Sequence, residues 1–372
     1  MKRTPLFEGH CEAGGRLVDF AGWEMPIQYS GVVDEYLAVR TAAGLFDVSH
    51  MGRIVVSGDG ALLFLQRMTT NNTAKLAVLE SQYSMVCNAR GGIMDDIFIY
   101  RMKPHEYLLC VNASNREKIT SWLLNEASGV PALALRDDSE DLAQLALQGP
   151  ASRAILMLLG AAGVEELKAR ACVDTQLLGV PAFITRTGYT GELGYELYIS
   201  ARHALTTWNA LLAAGKAAGL KPAGLGARDL LRLDMAYLLY GNDISEDITP
   251  MEAAAEWVVD FGKGDFVGRD VLHRQKANGL EKRLVAFELV QKAVPRHGFK
   301  IQSDASSGQR EIGEVTSGNL SPLLQKGIGM GYVPPHSATI GTSILIDIRG
   351  RSLPAVITKP PFYKRKQSSI TV

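Results

Sequence analysis

The run Ile93-Met94-Asp95-Asp96-Ile97-Phe98-Ile99-Tyr100 sets two carboxylates inside a stretch otherwise made of apolar and aromatic residues. Aspartate is a poor strand former and costly to bury without a partner, so the pair needs a reason to be there. Side chains alternate along a strand, which puts Ile93, Asp95, Ile97 and Ile99 on one face and Met94, Asp96, Phe98 and Tyr100 on the other. Asp96 then lies beside two aromatic rings, and Tyr83 and Met85 extend that floor from across a hairpin. Such a surface suits a flat heteroaromatic ligand whose amine needs an acceptor. A structural role fits the same pattern, with one aspartate capping the turn, the other at a sheet edge and the aromatics serving as core. Magnesium fits it poorly, because neighbours on opposite strand faces do not readily grip one ion.

Other candidate motifs are weaker. Gly188-Tyr189-Thr190-Gly191-Glu192 has the glycines of a phosphate loop but not its Gly-Lys-Ser/Thr ending. Gly224-Leu225-Gly226-Ala227-Arg228-Asp229 opens a helix without the strand, third glycine and ribose acid of a dinucleotide site, and an Arg-Asp surface pair is the alternative. Asp47-Val48-Ser49-His50 holds triad residue types but no Gly-x-Ser-x-Gly elbow. Four cysteines and seven histidines are scattered without Cys-x-x-Cys or His-x-x-x-His spacing, so neither a metal site nor a disulfide framework is expected.

The elements that must position these groups can be read coarsely. Ser81 to Cys87 and Ile93 to Met102 flank Asn88-Ala89-Arg90-Gly91-Gly92 and predict a hairpin, followed by a strand over Leu108 to Asn112. A helix is predicted from Asn115 to about Ala127, with Ser114 and Glu117 forming a capping box. Phe183 to Thr187 and Tyr195 to Ile199 read as strands; His203 to Gly219 and Gly226 to Tyr240 read as helices. Thr249-Pro250-Met251-Glu252 predicts a helix through Val259. Beyond 280, five short strands punctuated by glycine and proline predict a β-barrel or sandwich, with a boundary at 275–282 and a frayed tail over 364–372.

At 372 residues the chain has room for two or three domains, and 47% hydrophobic with 21% charged residues is ordinary for a globular protein. Thirty-nine basic residues balance thirty-nine acidic ones, so no bulk field attracts nucleic acid or an anionic membrane. No apolar run reaches the roughly 18 residues a membrane span needs, and the opening Met1-Lys2-Arg3-Thr4-Pro5-Leu6 lacks a signal-peptide core, so a cytoplasmic location is expected.

Taken in order, six landmarks resemble one family: Val18 to Pro26, Phe46-Asp47-Val48-Ser49-His50-Met51-Gly52, Gly91-Gly92-Ile93-Met94-Asp95-Asp96, Arg186 to Glu192, Gly224 to Asp229, and Thr316-Ser317-Gly318-Asn319. From Thr4-Pro5-Leu6 to Lys359-Pro360-Pro361-Phe362-Tyr363 the chain resembles the T-proteins, the aminomethyltransferases of the glycine cleavage system. The resemblance implies an α+β fold of three domains in a cloverleaf around a central folate pocket. These would be a discontinuous first domain, 1–51 with 136–275, an inserted domain at 52–135 carrying the catalytic hairpin, and a C-terminal β-barrel domain at 280–364, with a tail from 365. The implied reaction passes the methylene of an aminomethyl group, carried on the lipoyl arm of H-protein, to tetrahydrofolate and releases ammonia, with no metal, nucleic acid or membrane involved.

Carried over by position, the catalytic carboxylate is Asp96, and Tyr83, Phe98, Tyr100, Asn112, Tyr189, Glu196, Arg228 and Tyr237 surround the folate. Glu196 would accept from the paired N–H edge of the pterin. Two positions depart from the family: Phe98, where relatives often have an aliphatic residue, and Lys364, where some have arginine. Because H-proteins are typically acidic in this family, a local basic patch is expected to meet one, with Arg16, Arg40 and Arg232 as candidates by charge. Iron–sulfur maintenance proteins of the same fold carry a Lys-Gly-Cys signature that Leu239-Tyr240-Gly241-Asn242-Asp243 lacks, and flavin-linked relatives carry a Gly-x-Gly-x-x-Gly opening absent here. A folate-binding regulator without turnover remains the alternative, separated by ammonia release.

Overall fold

The structure, a computed structural model, describes residues 1–304 and 308–365. Two sheets face each other. The first has six strands in the order Cys172–Leu177, Val180–Thr185, Gly194–Ser200, Leu142–Gln148, Ala43–Asp47 and Leu220–Pro222. Its central strand Leu142–Gln148 is buried along nearly its whole length; its leucines and alanines fill the core, and its two glutamines, Gln144 and Gln148, are hydrogen-bonded inside. Leu145, Leu147, Tyr195, Leu197 and Ile199 point to a core closed by helices Ser152–Leu158 and Ala204–Gly215. The opposite face carries Phe46 and Ala146, packed against helices Val32–Thr41 and Leu225–Asp234. Glu196 pairs with Ala146, and Tyr198 with Gln144, on that second face.

The other sheet has five strands in the order Glu80–Cys87, Ile93–Lys103, Glu106–Val111, Gly52–Ser57 and Ala134–Asp137. Ile97 and Ile99 face helices Ala61–Met68 and Arg116–Ala127, while Tyr100, Leu108 and Cys110 meet Cys172, Phe183 and Tyr198 of the six-stranded sheet. The expected alternation therefore holds from Asp95 onward. It breaks before that, because a register shift between Val86 and Cys87 turns Met94 into the core with Ile97 and leaves Ile93 packed beside Met85 and Leu272.

After helix Arg269–Asn278, six antiparallel strands close a barrel in the order Arg283–Leu289, Lys326–Val333, Glu311–Ser321, Lys300–Ser303, Ser343–Ile348 and Arg351–Thr358. The mixed α+β fold with a C-terminal barrel is the one expected, and closure decides between barrel and sandwich. Helix Leu225–Asp234 ties the barrel to the rest. Arg232 donates to Asp243 Oδ2 at 2.9 Å and to Ser317 Oγ at 2.8 Å. No helix of the described residues is long and apolar enough to cross a membrane.

Several local expectations are corrected. The Ser114–Glu117 capping box does not form: a 3-10 turn spans Ala113–Asn115, the α-helix starts at Arg116, and Asn115 turns its amide to Asp95. The Thr249–Glu252 box does form, yet no α-helix follows. Ala254 adopts φ +54, and the Glu252 carbonyl accepts from Leu284 N–H of the first barrel strand. The helix expected over 226–240 ends at Asp234. Of the three basic residues proposed for docking, Arg40 and Arg232 are buried and paired internally, Arg40 with Glu192 and Asp234, Arg232 with Asp229 and Asp243. They cannot meet a partner, and Arg16 alone of the three is exposed. The frayed-tail expectation lies, from 366, outside the described residues.

Candidate active site

The two aspartates are separated by burial and by their donors. Asp95 is wholly buried, and its carboxylate accepts from Asn112 N–H at 3.0 Å, Asn112 Nδ2 at 2.8 Å and Asn115 Nδ2 at 2.6 Å. Asp96 is half-buried and accepts from Tyr83 Oη at 2.9 Å and Asn112 Nδ2 at 2.8 Å. Burial pushes both carboxyls above the usual carboxylate range. For Asp95 the neighbouring negative charge of Asp96 adds to that push; for Asp96 the Tyr83 and Asn112 hydrogen bonds oppose it. The hairpin that carries them is held by its turn. A Cβ on Gly92 would sit 1.7 Å from Glu246 O, so only glycine lets that chain pass.

From Asp96 a row of rings runs along the sheet. Tyr83 and Phe98, a directly opposed cross-strand pair, lie 5.7 Å apart; Phe98 stacks on Tyr100 at 6.0 Å and 24°. Tyr100 Oη reaches Glu196 Oε2 at 3.4 Å, a long contact that bridges the two sheets. Glu196 also accepts from Gln144 Nε2 at 3.1 Å and from the Thr187 hydroxyl. The row therefore ends in a half-buried carboxylate at each side, Asp96 and Glu196.

A second bank stands opposite. Tyr189 stacks on Tyr237 at 5.7 Å and 28°, the Arg228 guanidinium lies 4.8 Å from the Tyr189 ring, and Tyr189 Oη donates to Leu238 O. Asp96 and Tyr189 are near enough for the carboxylate charge to help hold the phenol up, after burial and against nearby Arg232. The glycine loop bearing Tyr189 is a close-packed structure and not a phosphate cradle. A Cβ on Gly188 or Gly194 would fall 2.0 Å or 2.2 Å from Gln148 Oε1, while Gln148 itself donates to Thr187 O at 3.2 Å and accepts from Thr190 Oγ1 at 2.9 Å. Arg228 is not the surface partner of Asp229, which pairs with Arg232 instead.

Of the nine residues singled out from the sequence, Tyr83, Asp96, Phe98, Tyr100 and Asn112 lie along the five-stranded sheet with Glu196 closing the row at Tyr100, while Tyr189, Arg228 and Tyr237 form a second bank whose Tyr189 comes near Asp96. Sequence reasoning missed Trp257, which stacks on Tyr83 at 5.6 Å and 22° while remaining 60% exposed. It sat in a stretch read as helix, where an aromatic passes for core. Gln144 and Thr187, which orient Glu196, carried no signal in their spacing.

The Asp47-Val48-Ser49-His50 motif is no triad. Asp47 accepts from Thr4 Oγ1 at 2.6 Å and Ser49 N–H at 2.8 Å, and it meets His10 Nε2 at 3.0 Å. Burial pulls that carboxyl upward, but the hydrogen bonds outweigh it and hold it at about 2. Ser49 Oγ donates to Gln144 O at 3.3 Å, and burial keeps His50 neutral, its ring pushed down to about 3. Among the described residues no group of three or more His, Cys, Asp or Glu is gathered as a metal site.

Two family models match the chain, "GCVT N-terminal domain" over residues 6–263 and "Glycine cleavage T-protein C-terminal barrel domain" over 282–364. The chain is 47% identical to an aminomethyltransferase of Halothermothrix orenii, over 97% of this chain and 100% of that one. It is 44% identical to one of Bacillus subtilis, over 98% of this chain and 100% of that one. A solved structure, the glycine cleavage system aminomethyltransferase T from Bartonella henselae, superposes with a TM-score of 0.91 at 34% identity, covering 98% of this chain and 99% of that one.

Proposed function

The chain belongs to the glycine cleavage T-protein family and is an enzyme of the aminomethyltransferase kind; we propose that it moves the methylene of an aminomethyl-lipoyl H-protein to tetrahydrofolate in the pocket between its two aromatic banks. One observation carries this reading: an aromatic row closed at one side by Asp96 and at the other by Glu196, both half-buried. Such a site fits a flat ring that stacks through its faces and donates N–H groups at its edges. We take the pocket to lie where the three units, 1–51 with 136–275, 52–135 and 280–364, meet, and the reaction to run in the cytoplasm.

The reaction breaks the methylene's bonds to nitrogen and sulfur and makes two bonds to folate nitrogens. The two protons those nitrogens lose end on ammonia and on the thiol. The protein's contribution is orientation and charge. Glu196, its oxygens oriented by Gln144 and Thr187, holds the amino and ring N–H edge of the pterin. Asp96, with Tyr83 and Asn112 fixing its two oxygens, presents negative charge where the attacking amine becomes positive. Asn112 spans both aspartates and so aligns the catalytic one with the rigid strand beneath it. Tyr189, Tyr237 and Arg228 close the opposite bank. Incubating the protein with aminomethyl-loaded H-protein and tetrahydrofolate should yield ammonia and methylene-tetrahydrofolate. Folate binding without either product would make the chain a folate-binding regulator.

A further inference from the structure

Trp257 is 60% exposed although Trp23 and Trp208 are only 5% and 1% exposed. It is not on a loose loop. Its 3-10 turn, Glu256–Val258, is followed by the buried Val259, and Asp260 N–H donates to Thr70 O at 3.0 Å. One face of the indole is committed to the Tyr83 ring, near-parallel at 22° and 5.6 Å. Tyr83 stands on Glu80–Cys87, the edge strand of its sheet, so no further strand flanks its ring on the outer side. Phe98 limits it from the inner side, tilted by 56°.

We propose that Trp257 is a positioning residue that acts through Tyr83: its stacked indole pins the phenol so that the hydroxyl stays aimed at Asp96 and holds the carboxylate directed at the reacting amine. The inference rests on the assignment of aminomethyl transfer to Asp96. The groups facing Asp96 show why one ring matters. Asp95 on its own strand and Asp243 beyond the helix Leu225–Asp234 bring negative charge; Tyr83 from the neighbouring strand and Asn112, just past the end of Glu106–Val111, bring donors; Tyr189 faces it from the glycine loop. Asn112 is also tied to Asp95, and Tyr189 Oη to Leu238 O, whereas the Tyr83 ring is steered by its aromatic contacts. The Tyr83 hydrogen bond is the strongest influence opposing the upward pull of burial on Asp96.

The test is the pH dependence of ammonia release, at saturating loaded H-protein, for Trp257→Ala, Trp257→Phe, Tyr83→Phe and the Trp257→Ala/Tyr83→Phe double variant. Losing a donor to a carboxylate raises its pKa, so the acid limb should move to higher pH by about one unit in Tyr83→Phe. Trp257→Ala should move it the same way, the double variant no further than Tyr83→Phe, and Trp257→Phe, which keeps a stacking ring, should restore the wild-type profile. An unmoved limb in Trp257→Ala, or additive shifts in the double variant, would overturn the proposal. So would a raised KM for loaded H-protein with the limb unmoved, which would make the indole a docking contact. Titration of the Asp96 carboxyl by carbon-13 NMR in the free protein reads the same shift without turnover. The same NMR shift pattern across the variants, with no ammonia released by the wild type, would sink the assigned reaction and not the positioning role.

Discussion

Replacing each aspartate by asparagine should separate chemistry from stability, because the two carboxylates are satisfied in different ways. Asp95 receives three donors, two on Oδ1 and the backbone N–H of Asn112 on Oδ2. An amide cannot reproduce that. Whichever way the substituted side chain is turned, its NH2 faces an N–H donor inside a fully buried site. An unsatisfied buried donor costs about 1–3 kcal/mol, so Asp95→Asn should lower unfolding free energy by that amount. At Asp96 one of the two donors is a hydroxyl, and the Tyr83 Oη can rotate to accept from an amide where it now donates. Asp96→Asn should therefore stay within about 1 kcal/mol of wild type in stability, but it loses the charge that faces the amine, so turnover should fall at least about tenfold. Urea unfolding and ammonia release, run on both variants, check the two halves. A stable, inactive Asp95→Asn beside a stable, active Asp96→Asn would refute the reasoning at both sites.

Other expectations follow from the same contacts. Glu196→Gln puts a donor toward a pterin edge that also donates, so calorimetry should show tetrahydrofolate binding weakened by roughly 10- to 150-fold, the equivalent of about 1.5–3 kcal/mol. Asp47, held at about 2 in the native chain, stays ionised where an unfolded aspartate near 3.9 has taken up a proton. Its contribution, roughly 2 kcal/mol, is thus present above about pH 4 and lost as pH falls toward 2, a segment that Asp47→Asn should abolish in acid unfolding curves. Gly92→Ala, which drives a methyl to 1.7 Å from a backbone oxygen, should destabilise the chain by about 1–3 kcal/mol in denaturant titrations, because the backbone of the hairpin or of Glu246 must shift to admit it.

What could be read ahead of the structure was what depends on the chain's own neighbours. Strand alternation placed Asp96 with Phe98 and Tyr100, and turn glycines placed the hairpin that brings Tyr83 opposite Phe98. The misreadings share one cause, a partner distant in sequence that outbid the local one. Ser114 and Glu117 had the spacing of a capping box, but Asn115 is 20 residues from the buried Asp95 that claims its amide, and the helix begins later as a result. Thr249 and Glu252 made their box and still launched no α-helix, because a barrel strand took the Glu252 carbonyl.

Arg40 and Arg232 carry the same lesson into the site. On isolated helices each looks like a solvated charge, and charge alone made each a docking candidate. Arg40 is met by Glu192 from the glycine loop and Asp234 from the end of another helix, and Arg232 by Asp243 and, from the barrel, Ser317. Each guanidinium therefore ties separate segments of the fold together, and removing one would leave buried carboxylates without their counter-charge, a loss of about 3–5 kcal/mol for a broken buried pair. Their reach extends to the second aromatic bank. Arg40 Nη1 donates to Thr190 O, one residue from Tyr189, and Arg232 donates to the carbonyl of Tyr237 at 3.1 Å. The two guanidiniums thus hold the separate segments that carry the stacked Tyr189 and Tyr237, so that the second aromatic bank is set by ion pairs between residues distant in sequence.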